Sequence, residues 1–141
     1  MQRKGSAIWQ GDLKTGKGTV STESGVLSQT QYSFSTRFES GKGTNPEELI
    51  AAAHAGCFTM ALSAQLGTAG LTPEKLVTTA TVTFDKLEAG WTVTGILLDV
   101  KGKVPKADQA AWDKATAAAK AGCPISRLLN TTITMQAKLE E

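Results

Sequence analysis

Near the N-terminus, short stretches of alternating apolar and polar residues are separated by glycine-rich turns. The alternation has the period of two that a half-buried strand requires, and it predicts strands over residues 6–9, 18–21 and 32–38. In the third stretch, the aromatic residues fall on one face and Arg37 falls on the other. We therefore expect Arg37 to project from the less apolar face of a strand.

A long apolar segment follows, and its ends carry the signals of a helix. Asn45 stands at the N-cap position, Pro46 at the first helical position, and Gly67 and Gly70 at the C-terminal end. Few positions between residues 49 and 62 are polar, so the helix must be covered on nearly all sides. Because a chain of this size has little left with which to cover it, we infer a homodimer.

The pattern in the second half of the chain predicts a hairpin, a second helix, a short helix and a final strand. Strands over residues 79–84 and 91–94 are joined by a turn, and the apolar phase slips at Gly95, which indicates a bulge. Asp108 is placed to cap a second helix, and residues 132–139 alternate as a strand. Runs of strands with helices between them indicate an α+β fold rather than regular βαβ winding.

Length and composition exclude several classes of protein. The 141 residues fit a single domain, residues 1–141, and a net charge of +2 with no dense basic cluster argues against a nucleic-acid partner. No apolar stretch of signal-peptide length follows the first residues. Polar side chains interrupt the long helix, which we expect to fall short of the ~20 apolar residues of a membrane span. We expect a soluble, cytoplasmic protein without a membrane partner.

The two cysteines stand in different surroundings. Cys57 lies in the apolar helix, whereas Cys123 directly precedes Pro124, where the second helix breaks and a short one begins. In a reducing compartment such cysteines are usually free thiols or a transient catalytic pair. A helix start lowers the pKa of a thiol, while burial raises it. The residues alone therefore favour Cys123 as the more reactive thiol.

A nucleophilic Cys57 would need a buried cation to offset its desolvation, and that cation would need a carboxylate partner. Arg37 and Glu47 are the natural candidates, because they flank the loop that leads into the long helix. Two simpler interpretations stay open at this point. Arg37 can be a solvated strand charge, and Glu47 can act only on the helix dipole.

Two further motifs give weaker evidence for a chemical role. His54 lies three residues before Cys57, which suits a metal site or a nucleophile and base, but a lone His in an apolar helix is more often a hydrogen-bonded packing residue. Residues 11–18 imitate a phosphate-binding loop, yet Gly18 replaces the Ser or Thr that holds Mg²⁺ and a predicted strand follows. We expect no metal and no other cofactor.

Three stretches of the chain, residues 11–27, 36–58 and 121–126, closely resemble the osmotically inducible protein C and organic hydroperoxide resistance family. The first stretch resembles the osmotically inducible branch in particular. The resemblance implies a cytoplasmic thiol-dependent peroxidase of oxidative and osmotic stress defence. It also implies an intertwined α+β homodimer, with antiparallel sheets wrapped around central long helices and active sites at the subunit interface.

The resemblance assigns roles to individual residues. It gives Cys57 the peroxidatic role and Cys123 the resolving role, which reverses the preference drawn from the residues alone. Arg37 and Glu47 become charge partners, although Glu48 can compete with Glu47 for Arg37. Organic hydroperoxides are the implied substrates, and a dithiol of the dihydrolipoyl type is the implied reductant.

One alternative from another functional class stays open. The apolar interface can hold a hydrophobic ligand, in which case the protein is a stress protein with incidental thiols. A general disulfide oxidoreductase is not favoured, because the chain has no Cys-x-x-Cys motif.

Overall fold

The structure, a computed structural model, describes all residues from Met1 to Glu141 and contains six strands and four helices. The residues fall into two compact units, 1–49 and 50–141. Each unit contains one three-stranded sheet, so the chain has the mixed α+β fold that the pattern predicts. The assignment of residues 1–141 to one domain stays a prediction.

The first unit begins with an antiparallel sheet. Its strands are β1 (Gly5–Gln10), β2 (Lys17–Thr22) and β3 (Thr30–Tyr32), in this order across the sheet. The first two confirm predicted strands, and β2 begins where a phosphate-binding loop would need a helix. A side chain at Gly18 would collide with the rings of Trp9 and Tyr32, so close packing explains this glycine.

The third predicted strand is wrong beyond Tyr32, because a short helix, α1 (Phe34–Phe38), replaces it. Ser33 caps this helix: its hydroxyl accepts from the Thr36 N–H, and the Thr36 hydroxyl accepts from the Ser33 N–H at 2.8 Å. This reciprocal capping box competes with the strand ladder for the same backbone groups. Arg37 therefore projects from a helical turn and not from a strand.

The long helix, α2 (Pro46–Thr68), has the predicted start. The Asn45 side-chain oxygen accepts from the Glu48 N–H at 2.8 Å, and the Glu48 carboxylate accepts from the Thr44 hydroxyl at 2.7 Å. Only four of the 23 helical residues are buried within the single chain, at intervals of four: His54, Phe58, Leu62 and Leu66. They form one stripe, and the other apolar positions of α2 are half-buried or exposed in one chain.

The expectation that α2 is too short and too polar for a membrane span is wrong. By length and composition alone, its 23 residues suffice to cross a membrane. One such helix is weak evidence for a membrane protein, because the core helix of a soluble protein passes the same test. The observation shows how much apolar surface α2 presents.

The second unit is built on a long hairpin. Strands β4 (Lys75–Leu87) and β5 (Gly90–Lys103) pair antiparallel, with a register shift between Thr83, opposite Gly95, and Phe84, opposite Val93. The shift is the irregularity that the slipped apolar phase at Gly95 predicts. It lets one face of β5 continue as core, where Ile96, Leu98 and Val100 are buried.

One strand pair departs from the expected antiparallel sheets. The last strand, β6 (Ile133–Glu140), runs parallel to β5 and makes the sheet order β4-β5-β6. A parallel neighbour requires a crossover connection, and here two helices provide it. They are α3 (Gln109–Gly122) and α4 (Pro124–Leu128).

The two crossover helices begin and end as predicted. Asp108 caps α3 by accepting from the Ala111 N–H at 2.7 Å, and Cys123 is at once the C-cap of α3 and the N-cap of α4. Trp112, Ala115 and Ala119 of α3 pack into one core with α2 and β5. Cys123 ends this apolar stripe, four residues after Ala119, and is fully buried.

Candidate active site

The fold of the second unit brings the two cysteines together. Cys57, half-buried on α2, and Cys123, fully buried between α3 and α4, have their sulfur atoms 3.0 Å apart. Both are free thiols. A disulfide needs about 2.05 Å, so the sulfurs share a hydrogen bond and lie about one ångström from bonding distance. Small side-chain movements are enough to join them.

The surroundings push the two thiols in opposite directions. Burial raises the pKa of Cys57, and its hydrogen bond with Cys123 raises it further. Burial alone would also raise the pKa of Cys123. The hydrogen bond with Cys57, the backbone N–H groups of Ile125 and Ser126 and the Ser126 hydroxyl outweigh burial and lower the pKa of Cys123. These directions are the ones expected from the residues alone.

A third polar side chain lies beside this pair. His54 is fully buried, and its Nε2 lies 2.7 Å from the Ser126 hydroxyl. Burial lowers the pKa of His54, so the ring is neutral at neutral pH. The structure confirms that His54 is buried and hydrogen-bonded, as the sequence predicts. Its partner was missed, because nothing in the sequence places α4 against α2.

The first unit contains the predicted ion pair. Arg37 donates to the Glu47 carboxylate from Nη2 at 2.8 Å and from Nε at 3.1 Å, and the Arg37 guanidinium lies 5.3 Å from the centre of the Phe38 ring. The Glu47 side chain is 12% exposed and the Arg37 side chain is 37% exposed, so the pair is open to solvent on the arginine side. Glu48 accepts from Thr44 instead. Arg37 therefore has a carboxylate partner and does not lie in a strand, whereas the role of this pair at Cys57 stays a prediction.

Arg37 also borders an aromatic cleft within the first unit. The cleft has a volume of about 250 Å³ and is lined by Trp9, Leu13, Tyr32, Ser33, Phe34, Arg37 and Phe38. The Trp9 and Tyr32 rings lie 5.4 Å apart, and those of Phe34 and Phe38 lie 4.8 Å apart. Such a surface offers apolar contact beside a positive charge. The structure thus arranges the four predicted site residues as two pairs, each within one compact unit.

No group of three or more His, Cys, Asp or Glu side chains is arranged to hold a metal ion. The polar groups around the two sulfurs are hydroxyl, imidazole and backbone N–H groups. The chemistry that this arrangement offers is therefore thiol chemistry.

Comparisons with known proteins agree with this chemistry. A family model described as OsmC-like protein matches residues 39–138. Peroxiredoxin OsmC of Escherichia coli (strain K12) is 55% identical over 140 residues, which cover 99% of this chain and 98% of the relative.

Solved structures show the same fold at lower identity. The organic hydroperoxide resistance protein OhrB of Bacillus subtilis superposes with a TM-score of 0.72 at 22% identity, covering 97% of this chain and 98% of that one. An OsmC-like protein from Mycoplasma pneumoniae superposes with a TM-score of 0.78 at 14% identity, covering 100% and 99%.

Proposed function

The chain belongs to the OsmC-like family and is a cysteine-based peroxidase, and on this premise we propose that it reduces organic hydroperoxides to alcohols through Cys57 and Cys123. The observation that carries the proposal is the 3.0 Å separation of the two sulfur atoms. Two free thiols at this distance can give two electrons to a peroxide and become one disulfide.

In the first step, Cys57 acts as the nucleophile. Its thiolate attacks the distal oxygen of ROOH, the O–O bond breaks, and the alkoxide takes up a proton to leave as the alcohol. The sulfur keeps the distal oxygen and becomes a sulfenic acid. The peroxide is reduced by two electrons, and Cys57 is oxidised by two.

In the second step, Cys123 resolves the intermediate. Its sulfur attacks the Cys57 sulfur, the S–O bond breaks, and the hydroxide leaves as water after gaining a proton. Because the partner sulfur is already 3.0 Å away, disulfide formation can precede a second peroxide attack. Cys57 is thereby protected from the sulfinic acid stage.

Arg37 supplies the charge that Cys57 lacks within its own surroundings. Burial raises the pKa of Cys57, so a thiolate there needs a nearby cation. We assign this role, in the assembled protein, to the Arg37 guanidinium, which Glu47 orients by accepting hydrogen bonds from its Nε and Nη2. The same guanidinium can polarise the peroxide oxygens.

The proposed assembly is a homodimer. Helix α2 buries only four of its 23 residues within one chain, and Met60 near its middle is 76% exposed. A second copy of the same apolar surface can cover it, as in an isologous interface. The protein is then soluble, and we place it in the cytoplasm, where a dithiol such as a dihydrolipoyl group can reduce the disulfide by exchange.

Organic hydroperoxides fit this proposal better than hydrogen peroxide does. An alkyl or aryl tail gains about 0.8 kcal/mol for each CH₂ group that leaves water. Apolar residues surround Cys57 on α2, and aromatic rings border Arg37. Hydrogen peroxide has no apolar part with which to gain from these surfaces.

Replacing Arg37 by Ala is expected to raise the pKa of Cys57 further, because it removes the cation that favours the thiolate. In a Cys123→Ser background, alkylation of Cys57 at pH 7 is expected to slow by about tenfold, the minimum effect of removing an adjacent opposite charge. Arg127→Ala, which removes an exposed arginine of α4, is the matched control. If the Arg37 and Arg127 variants have the same alkylation–pH profile, Arg37 has no part in the mechanism.

Thiol counting separates the peroxidase from a binding protein with incidental thiols. Reduced protein is mixed with one equivalent of cumene hydroperoxide without reductant, and free thiols are counted under denaturing conditions. The expected result is the loss of both thiols of each chain, because one turnover ends in the disulfide. Unchanged thiols, with the hydroperoxide recovered intact, would show that the protein binds apolar ligands without reducing them.

A further inference from the structure

His54 is a buried polar residue that the proposed mechanism does not use. It has no solvent exposure, and its Nε2 lies 2.7 Å from the Ser126 hydroxyl. Its other ring nitrogen, Nδ1, is buried with no hydrogen-bond partner. A buried polar group is retained at a cost, so this arrangement calls for a physical reason.

The unpartnered Nδ1 decides which nitrogen carries the proton. Burial lowers the pKa of His54, so the neutral ring has one N–H and one lone pair. A buried N–H without an acceptor is less tolerable than a buried lone pair without a donor. The proton therefore belongs on Nε2, which donates to the Ser126 hydroxyl oxygen. Ser126 then has its own O–H free to donate elsewhere.

The available acceptor for that O–H is the sulfur of Cys123, at the start of the same short helix. Cys123 is the N-cap residue of α4 and Ser126 is the third residue of that helix, the position from which a side chain reaches back to the cap. The Ser126 hydroxyl is among the groups that lower the pKa of Cys123. The hydrogen bonds thus run in one direction, from His54 through Ser126 to the sulfur. No charged group contributes to the pKa of His54, and the two thiols are the titratable groups at the other end.

We infer that His54, acting through Ser126, is a positioning residue for disulfide closure, because it orients the Ser126 hydroxyl toward the Cys123 sulfur, which lies 3.0 Å from the sulfur of Cys57. The inference rests on the proposed roles of the two cysteines. The Cys123 thiolate attacks the sulfenic sulfur of Cys57, the S–S bond forms, and the S–O bond breaks. The departing hydroxide takes the proton that Cys123 had earlier released, and leaves as water. His54 keeps its proton throughout.

This direction of donation separates His54 from a general base. A base must accept a proton through Nε2, and only a titratable ring can do so. A donor needs only an N–H at the position of Nε2. Glutamine places an amide N–H near that position, whereas asparagine places its amide near Nδ1, out of reach of Ser126. His54→Gln and His54→Asn therefore form a matched pair of similar polarity.

The test measures the two steps separately in single turnovers with cumene hydroperoxide. Rapid quenching with a sulfenic-acid trap and a thiol alkylating agent, followed by mass spectrometry, gives the rate of sulfenic acid formation and the rate of closure. We expect His54→Asn and Ser126→Ala to close about tenfold more slowly, the effect of one lost hydrogen bond to a charged sulfur. In both variants, sulfenic acid formation at Cys57 is expected to be no slower than in the protein without substitutions.

Two further variants test the relay itself. His54→Gln is expected to close at nearly the unmodified rate. The double variant His54→Asn with Ser126→Ala is expected to close no more slowly than Ser126→Ala alone, because the two groups act in series. Equal slowing of both steps in every variant would show a merely structural role and overturn the inference. So would unchanged closure in Ser126→Ala, or slow closure in His54→Gln.

The same experiment distinguishes this inference from the proposed function. If the unmodified protein forms no sulfenic acid at Cys57, the roles of the cysteines are wrong, whatever His54 does. If the sulfenic acid forms and closes equally fast in all variants, the peroxidase mechanism stands and only the positioning role of His54 fails.

Discussion

Replacing Cys57 by Ser is expected to reduce peroxide consumption to the rate of the uncatalysed reaction. The replacement keeps the size of the side chain, but a hydroxyl in this apolar position does not ionise at neutral pH and is a far weaker nucleophile than a thiolate. Cys123 cannot take over, because it is fully buried. The measurement is the loss of cumene hydroperoxide in the presence of excess dithiol.

This variant tests the role of Cys57 because the pKa directions within one chain point the other way. Cys123 is the thiol whose pKa is lowered, and Cys57 is the thiol whose pKa is raised. If the ionised fraction of each thiol alone decided the nucleophile, Cys123 would therefore be favoured over Cys57. Peroxide consumption by Cys57→Ser, together with its absence in Cys123→Ser, would exchange the two roles.

Replacing Cys123 by Ser is expected to abolish turnover while sparing the first reaction. The variant should consume about one equivalent of hydroperoxide and form a sulfenic acid at Cys57 that has no partner thiol. Further peroxide then oxidises it to the sulfinic acid, which a dithiol does not reduce. The measurement combines the peroxide consumed per chain with the mass added to the peptide that contains Cys57.

The contrary result for this variant is sustained turnover with dithiol present. In that case the external reductant attacks the sulfenic acid directly, and the neighbouring sulfur is not needed. Ser126→Ala is a useful comparison, because it leaves both thiols in place and changes only a hydroxyl beside Cys123. It is expected to keep turning over, with slower closure.

The sequence predicts those parts of the fold that local chemistry decides. Asn45 and Asp108 make their caps, and the slip at Gly95 is a register shift, because capping and alternation depend on residues a few positions apart. The Arg37–Glu47 pair was also predicted, since both residues flank one short loop. The family resemblance added the pairing of Cys57 with Cys123, which no local pattern could have supplied.

The features that the sequence does not predict depend on competition between two local structures or on contacts between residues far apart in the chain. Residues 33–38 alternate like a strand, but the capping box of Ser33 and Thr36 makes them a helical turn. The parallel pairing of β6 depends on how α3 and α4 return the chain to the sheet, which alternation cannot show. The contact between His54 and Ser126 joins residues 72 positions apart. The sequence around either residue does not predict this contact.

The most direct test of the account is to locate the disulfide that one turnover leaves. Reduced protein is treated with one equivalent of cumene hydroperoxide, alkylated without reduction, digested and analysed by mass spectrometry. We predict that each chain loses two hydrogens and that the peptides of Cys57 and Cys123 from the same chain are joined by one S–S bond. Recovery of both cysteines as alkylated thiols after the hydroperoxide has been consumed would contradict the account.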